Sequence, residues 1–256
     1  GQTVMGLGPK TALLQFMQLA NTMGQYGVRD TIRGLGAALL DPGMSKLARE
    51  SGALLPTQNM SFEGDMATSM SNWWLTHVTK IPQMDRFVRV TSSFTAMHAA
   101  NKWAEELPAA IGGAKGIIER NLRRLGISPD DVVSSKGILT IDQLKTAALE
   151  GSKYTQFASH LSDMPEMWRS PIGRFVFKFR AFAKQQSEFV SRLTEEAIKY
   201  KNPKPLMRYL AATGTLYQVM KVPLNFLAGH KTPEDEKVTD FLKGALFVGA
   251  LGGMGD

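Results

Sequence analysis

The chain has 256 residues, 43% of them hydrophobic, with no cysteine and only four histidines. That much apolar material can bury a core and excludes a disordered chain, while the missing thiols exclude a disulfide scaffold, a thiolate zinc site and a cysteine nucleophile. Thirty Lys and Arg against 23 Asp and Glu leave a formal charge of +7, which points to nucleic acid, anionic lipid or an acidic partner.

The predicted elements are helical along the whole chain. Gly1-Gln2-Thr3-Val4 carries no initiator methionine, basic n-region or apolar signal core, and the chain reads as part of a longer polypeptide. Pro9, a good first-turn residue, precedes a stripe of Leu13, Phe16, Met17, Ala20 and Met23. Met66, Met70, Trp73, Trp74, His77 and Ile81 form a second stripe, and His77 on that face reads as a hydrogen-bonded core residue. Phe87, Val90, Phe94, Met97 and Ala104 predict a helix from Pro82 to about Leu107.

Start signals agree with the stripes. Ser128-Pro129-Asp130-Asp131 reads as an N-cap, a proline at the first helical position and an acid at the third. Thr140-Ile141-Asp142-Gln143 and Thr232-Pro233-Glu234-Asp235 are capping boxes of the same type, and Ser170-Pro171 opens the longest helix, which Asn202-Pro203 stops. Strand signals are nearly absent. The fold class is therefore all-α, an extended assembly of about eight to eleven helices.

Charge divides the chain. Residues 1–150 hold 15 basic and 13 acidic side chains, whereas residues 151–256 hold 15 and 10. A boundary near Glu150-Gly151 separates an N-terminal helical region, 1–150, from a basic region, 151–256, with a Gly-rich apolar end.

Few residues propose chemistry. Gly6-Leu7-Gly8-Pro9-Lys10-Thr11 fails as a phosphate loop because proline lacks the backbone N–H that such a loop aims at phosphate. Gly34-Leu35-Gly36 lies in a helical pattern and reads as a close helix contact. The acid pairs Glu105-Glu106, Asp130-Asp131 and Glu195-Glu196 point about 100° apart on a helix and cannot converge on one bond. No histidine spacing suits a metal. The chain reads as non-enzymatic, with no cofactor and no metal.

The helix Pro171–Tyr200 is the strongest feature. Phe175, Phe179, Phe182, Phe189, Val190, Leu193 and Ala197 cluster within about 100° of arc, with Arg174, Lys178, Arg180, Lys184, Arg192 and Lys199 on the other side. Phe177 lies out of place among the cations, so Arg174, Phe177, Lys178, Arg180 and Lys184 form a candidate face for DNA phosphates or a partner. From Tyr209 to Gly229 the only charge is Lys221, and Phe241–Met254 is apolar apart from Lys243. Tyr209, Leu216, Leu224 and Phe226 in the first stretch, with Phe241 and the small-residue ladder Ala245, Gly249 and Gly253 in the second, are candidates for membrane or subunit contact.

The run Met164-Pro165-Glu166-Met167-Trp168-Arg169-Ser170-Pro171-Ile172-Gly173-Arg174-Phe175-Val176-Phe177-Lys178-Phe179-Arg180-Ala181-Phe182-Ala183-Lys184-Gln185-Gln186 resembles a pattern in internal virion, or ejection, proteins of tailed phages and related polyvalent prophage proteins. The resemblance covers 60–250 loosely and 164–186 well. It implies a helical homo-oligomer packed inside the capsid beside portal, core or tail proteins. Such a protein leaves with the viral double-stranded DNA and helps build a conduit across the host membrane and envelope. No transglycosylase-like catalytic glutamate and no polymerase motif accompany the resemblance. Two alternatives are a basic DNA-binding or packaging module without membrane contact, and a docking domain of a large polyvalent phage protein.

Overall fold

The computed structural model describes residues 9–54, 81–156 and 171–227. Among them every regular element is helical, with nine α-helices, one 3-10 turn and no strand, so the all-α expectation holds. The helices fall into two compact units that ignore the expected boundary. Glu150 and Gly151 lie inside the helix Ile141–Gln156, and the units are discontinuous in sequence. A shift in net charge marks solvated surface, which is free to vary within one packed unit, and this is why it misplaced the boundary.

One unit contains α2 (Val28–Leu40), α3 (Pro42–Glu50), α4 (Ile81–Glu106), α5 (Gly112–Arg124), α6 (Pro129–Ser134) and α7 (Ile141–Gln156). Two of its helices, α6 and α7, begin where the sequence places caps. Ser128 Oγ accepts from the Asp131 N–H at 3.4 Å, and Asp130 and Asp131 sit in the first turn of α6 at the positive end of its dipole. At α7 the box is reciprocal: the Gln143 N–H donates to Thr140 Oγ1 at 3.2 Å, and the Thr140 N–H donates to Gln143 Oε1 at 2.8 Å. Asp41 does the same for α3, accepting from the Gly43 N–H at 2.9 Å with Pro42 at the first position. Pro108, which has no N–H to give, sits in the 3-10 turn Leu107–Ala109 that follows α4.

One apolar cluster of this unit is a seam of Val90, Phe94 and Met97 from α4, Ala48 from α3, Leu54 just beyond it and Ala148 from α7. Ala37 and Ala38 of α2, Leu47 of α3 and Leu144 of α7 pack against it. The predicted stripe of α4 is thus where the core forms, but burial runs further around the helix. Asp85, Arg89, Thr91, Ser92, Ser93 and Thr95 are buried as well. Gly34 explains how closely α2 approaches α4: a Cβ there would sit 2.8 Å from the Thr91 carbonyl oxygen and against Thr95 Oγ1. The close-contact reading holds for Gly34, whereas Gly36 has nothing within 4 Å.

The other unit contains α1 (Pro9–Tyr26), α8 (Pro171–Lys199) and α9 (Lys204–Leu227). Helices α1 and α9 pack along one another, and α8 lies against α9. Gly24 permits the first contact, since a Cβ there would be 2.7 Å from Tyr209 Cβ. Leu19, Ala20, Tyr26, Phe189, Leu193, Tyr209 and Ala212 are among its buried apolar residues. The stripe around residues 66–77 and the third capping box at Thr232 lie outside the described residues.

Candidate functional site

Helix α8 carries the candidate face, and its two halves differ. From Pro171 to Lys184 the sequence holds four cations and no acid. Arg174, Phe177, Lys178 and Arg180 occupy this half, and their side chains lie outside the described residues. Lys184 is exposed and reaches Glu188 at 3.8 Å. Beyond it the outward charges alternate, with Lys199 held by Glu195 at 3.3 Å. Both pairs are exposed i,i+4 contacts that add little stability. Of the predicted inner arc, Phe189 and Leu193 are fully buried, Val190 and Ala197 are half-buried, and the side chains of Phe175, Phe179 and Phe182 lie outside the described residues.

That arc also contains a polar residue. Gln186 falls at about 120° on the wheel that starts at Arg174, in the middle of the phenylalanines. It is buried and joins three helices. Its Nε2 donates to Asn21 Oδ1 of α1 at 3.1 Å and to the Tyr209 hydroxyl of α9 at 2.8 Å. Asn21 Nδ2 donates back to Gln186 Oε1 at 3.2 Å. Every polar atom of the Gln186 amide therefore has a partner, which makes its burial tolerable. Phe189 packs edge-on to Tyr209 with ring centroids 5.7 Å apart. Burial pushes the Tyr209 phenol above its usual value, and the Thr213 hydroxyl and Gln186 amide oppose this.

Tyr209 is therefore corrected as a membrane or subunit contact. Its ring is buried and its hydroxyl is bonded inside its own unit, because α9 turns that face toward α1 and α8. Leu216 is half-buried on α9. Leu224 and Phe226 lie on the last turns of α9, their side chains outside the described residues, as are Phe241, Ala245, Gly249 and Gly253 altogether. No helix of the described residues is long and apolar enough to cross a membrane. Helix α9 has 24 residues, a sufficient length, but Thr213, Thr215, Gln218, Lys221, Pro223 and Asn225 interrupt it.

The remaining polar clusters offer little convergent chemistry. Glu195 and Glu196 diverge as expected for adjacent helix positions: Glu195 faces out, whereas Glu196 is buried and accepts from Asn202 Nδ2 at 2.8 Å. In the α2–α7 unit, Asp85 and Arg89 form a buried ion pair at 2.8 Å along α4. Gln156 Nε2 donates to Ser92 Oγ at 2.6 Å, tying α7 to α4. Arg33 Nη1 donates to His98 Nε2 at 3.1 Å. Glu50 binds Lys145 of α7 at 3.0 Å, and that bond holds its carboxyl below the usual glutamate range. An open groove on the outer side of α8 is lined by Ser187, Val190, Ser191, Thr194, Glu195 and Ile198. Among the described residues no His, Asp and Glu group could hold a metal ion.

Sequence reading missed the Asn21–Gln186–Tyr209 junction and the buried polar side of α4. The signal for Gln186 was present, an amide in the centre of an aromatic arc. Thr91, Ser92 and Ser93 gave no such signal, because small hydroxyl residues are equally at home on a solvated face. No family model, curated protein or solved structure matches this chain.

Proposed function

We propose that the chain is a non-enzymatic internal virion component of a tailed phage, which helps deliver the genome across the host envelope. The observation that carries the reading is the first half of α8, where Arg174, Lys178, Arg180 and Lys184 stand without a single acid between Pro171 and Lys184. Such a run gives a homo-oligomer a cationic surface for passing DNA or for anionic neighbours. The 164–186 resemblance supports the same reading, as does the helical architecture, which suits a bundle lining a conduit. The partners in this reading are further copies of the chain, portal, core or tail proteins, viral DNA and the host membrane.

The test is mass spectrometry of phage particles before and after genome release. The chain is expected in filled particles and depleted from emptied ones; absence from filled particles sinks the reading. A second reading, a DNA-binding module without membrane contact, draws on the same basic run. It predicts duplex binding with a steep salt dependence that is lost on changing Arg174, Lys178, Arg180 and Lys184 to Glu, with the chain retained on DNA outside any particle.

A further inference from the structure

The turn between α8 and α9 has a composition that neither reading uses. From Ile198 to Arg208 the chain carries Lys199, Lys201, Lys204 and Arg208 and no acid. The two preceding glutamates are already engaged, Glu195 by Lys199 and Glu196 by Asn202. The Asn202 contacts also shape the turn, because its N–H donates to the Glu196 carbonyl oxygen at 3.2 Å. Arg208 lies over Gly27 at the C-terminal end of α1, a favourable place for a cation. Lys199, Lys201 and Lys204 face solvent.

Between these cations stand large apolar side chains that the fold leaves outside. Ile198 is 76% exposed, Met207 62% and Tyr200 43%. The Lys199 ammonium sits 5.6 Å from the Tyr200 ring centroid. Lys201 holds a φ of 53°, a left-handed conformation in which a glycine would rest without strain. Exposed cations and exposed aliphatic ends at the tip of a helical hairpin match the chemistry of a lipid headgroup layer, with phosphates above and acyl chains below.

We propose that this tip docks on an anionic phospholipid surface, with Lys201 and Lys204 over the phosphates and Ile198, Tyr200 and Met207 in the interfacial layer. Nucleic acid would satisfy the cations equally well. It would give Ile198 and Met207 nothing, because a phosphodiester backbone offers no apolar layer, and this decides for lipid. The binding is peripheral and needs no spanning helix. It goes beyond the genome-delivery reading and stands on the chemistry of the turn, so it survives if that reading fails.

The experiment is cosedimentation of the full chain with vesicles of phosphatidylcholine alone and vesicles containing one third phosphatidylglycerol, at low and high salt. Wild-type chain is expected on the anionic vesicles and free of the neutral ones. Lys201→Gly, which relieves the backbone strain and so keeps the fold, weakens binding about fivefold, the factor expected for one lysine near an anionic surface. Lys201→Glu with Lys204→Glu weakens it at least about tenfold. Ile198→Ser with Met207→Ser removes the fraction that stays bound at high salt. Circular dichroism of each variant confirms the helices. The proposal is overturned by a wild-type chain that ignores anionic vesicles, or by charge variants that bind them undiminished, which would place the contact elsewhere. Duplex DNA that displaces the vesicles at equal phosphate, with the apolar variants unaffected, assigns the tip to nucleic acid instead.

Discussion

The two units bury polar groups in opposite ways. In the α2–α7 unit several bonds run along one helix: Arg89 to Asp85, Thr91 to the Phe87 carbonyl, Thr95 to the Thr91 carbonyl and Thr155 to the Gly151 carbonyl. Gln156 to Ser92 is an exception. In the α1/α8/α9 unit the bonds of Gln186 cross three helices. An intrahelical bond is satisfied wherever the helix sits, so it says nothing about which neighbour to choose. Register in the first unit therefore rests on the apolar seam and the Gly34 approach, with Gln156–Ser92 as a polar tie between α7 and α4. In the second unit, sliding α8 by one turn would break three buried bonds at once and leave their groups without water. Shape and one polar tie align the first unit, whereas the second adds a three-helix polar junction to the close Gly24 approach.

That contrast can be broken at four points, in falling order of effect. Phe94→Ala removes the largest side chain of the apolar seam and should cost about 3–5 kcal/mol. Amide hydrogen exchange should show the loss throughout α4. A change confined to the ends of the helix would mean that the seam does not align the unit.

Gln186→Leu keeps the volume of the arc but strands the Asn21 amide and the Tyr209 hydroxyl, at about 2–4 kcal/mol in total. Combining it with Asn21→Leu and Tyr209→Phe should recover part of that loss in chemical denaturation, because the groups that Gln186 bonds are then removed together. A triple variant weaker than the sum of its parts would show that the bonds contribute net stability rather than only selecting the register.

Thr140→Ala removes one half of the α7 capping box and should cost about 1 kcal/mol. The effect on exchange should be largest in the first turn of α7.

The smallest effect is alkaline. Burial raises the Tyr209 phenol in the folded chain, so the folded state holds its proton longer than the unfolded one. The resulting stability is complete below the ordinary tyrosine value and is lost as the pH climbs through the folded value. Tyr209→Phe should flatten that part of the pH–stability curve. An unchanged alkaline slope would assign it to other groups.

Legibility in the sequence followed from the range of each interaction. Ser128, Thr140 and Pro171 act within one turn of their own helix, and each marks the start that the sequence predicts. The apolar arc of α8 and the stripe of α4 were likewise readable, since periodicity needs no knowledge of the neighbour. Tyr209 was misread because an aromatic residue opening an apolar stretch looks the same whether it faces lipid or another helix. The α8–α9 tip was passed over because exposure is a property of the folded chain, and Ile198 and Met207 read equally well as core.

By itself, the sequence determined the helical class, the starts at Ser128, Thr140 and Pro171, the apolar stripe of α4, the burial of Phe189 and Leu193 on α8 and the concentration of basic charge after residue 150, all of which depend on residues less than two turns apart. Only the tertiary structure decided that Glu150 lies within a helix, that Asn21 meets Gln186 across 165 positions, and that Tyr209 turns inward while Ile198 and Met207 turn out. Those outcomes depend on which faces are excluded from water together, and water exclusion is settled by the packing of distant segments rather than by any local run of residues.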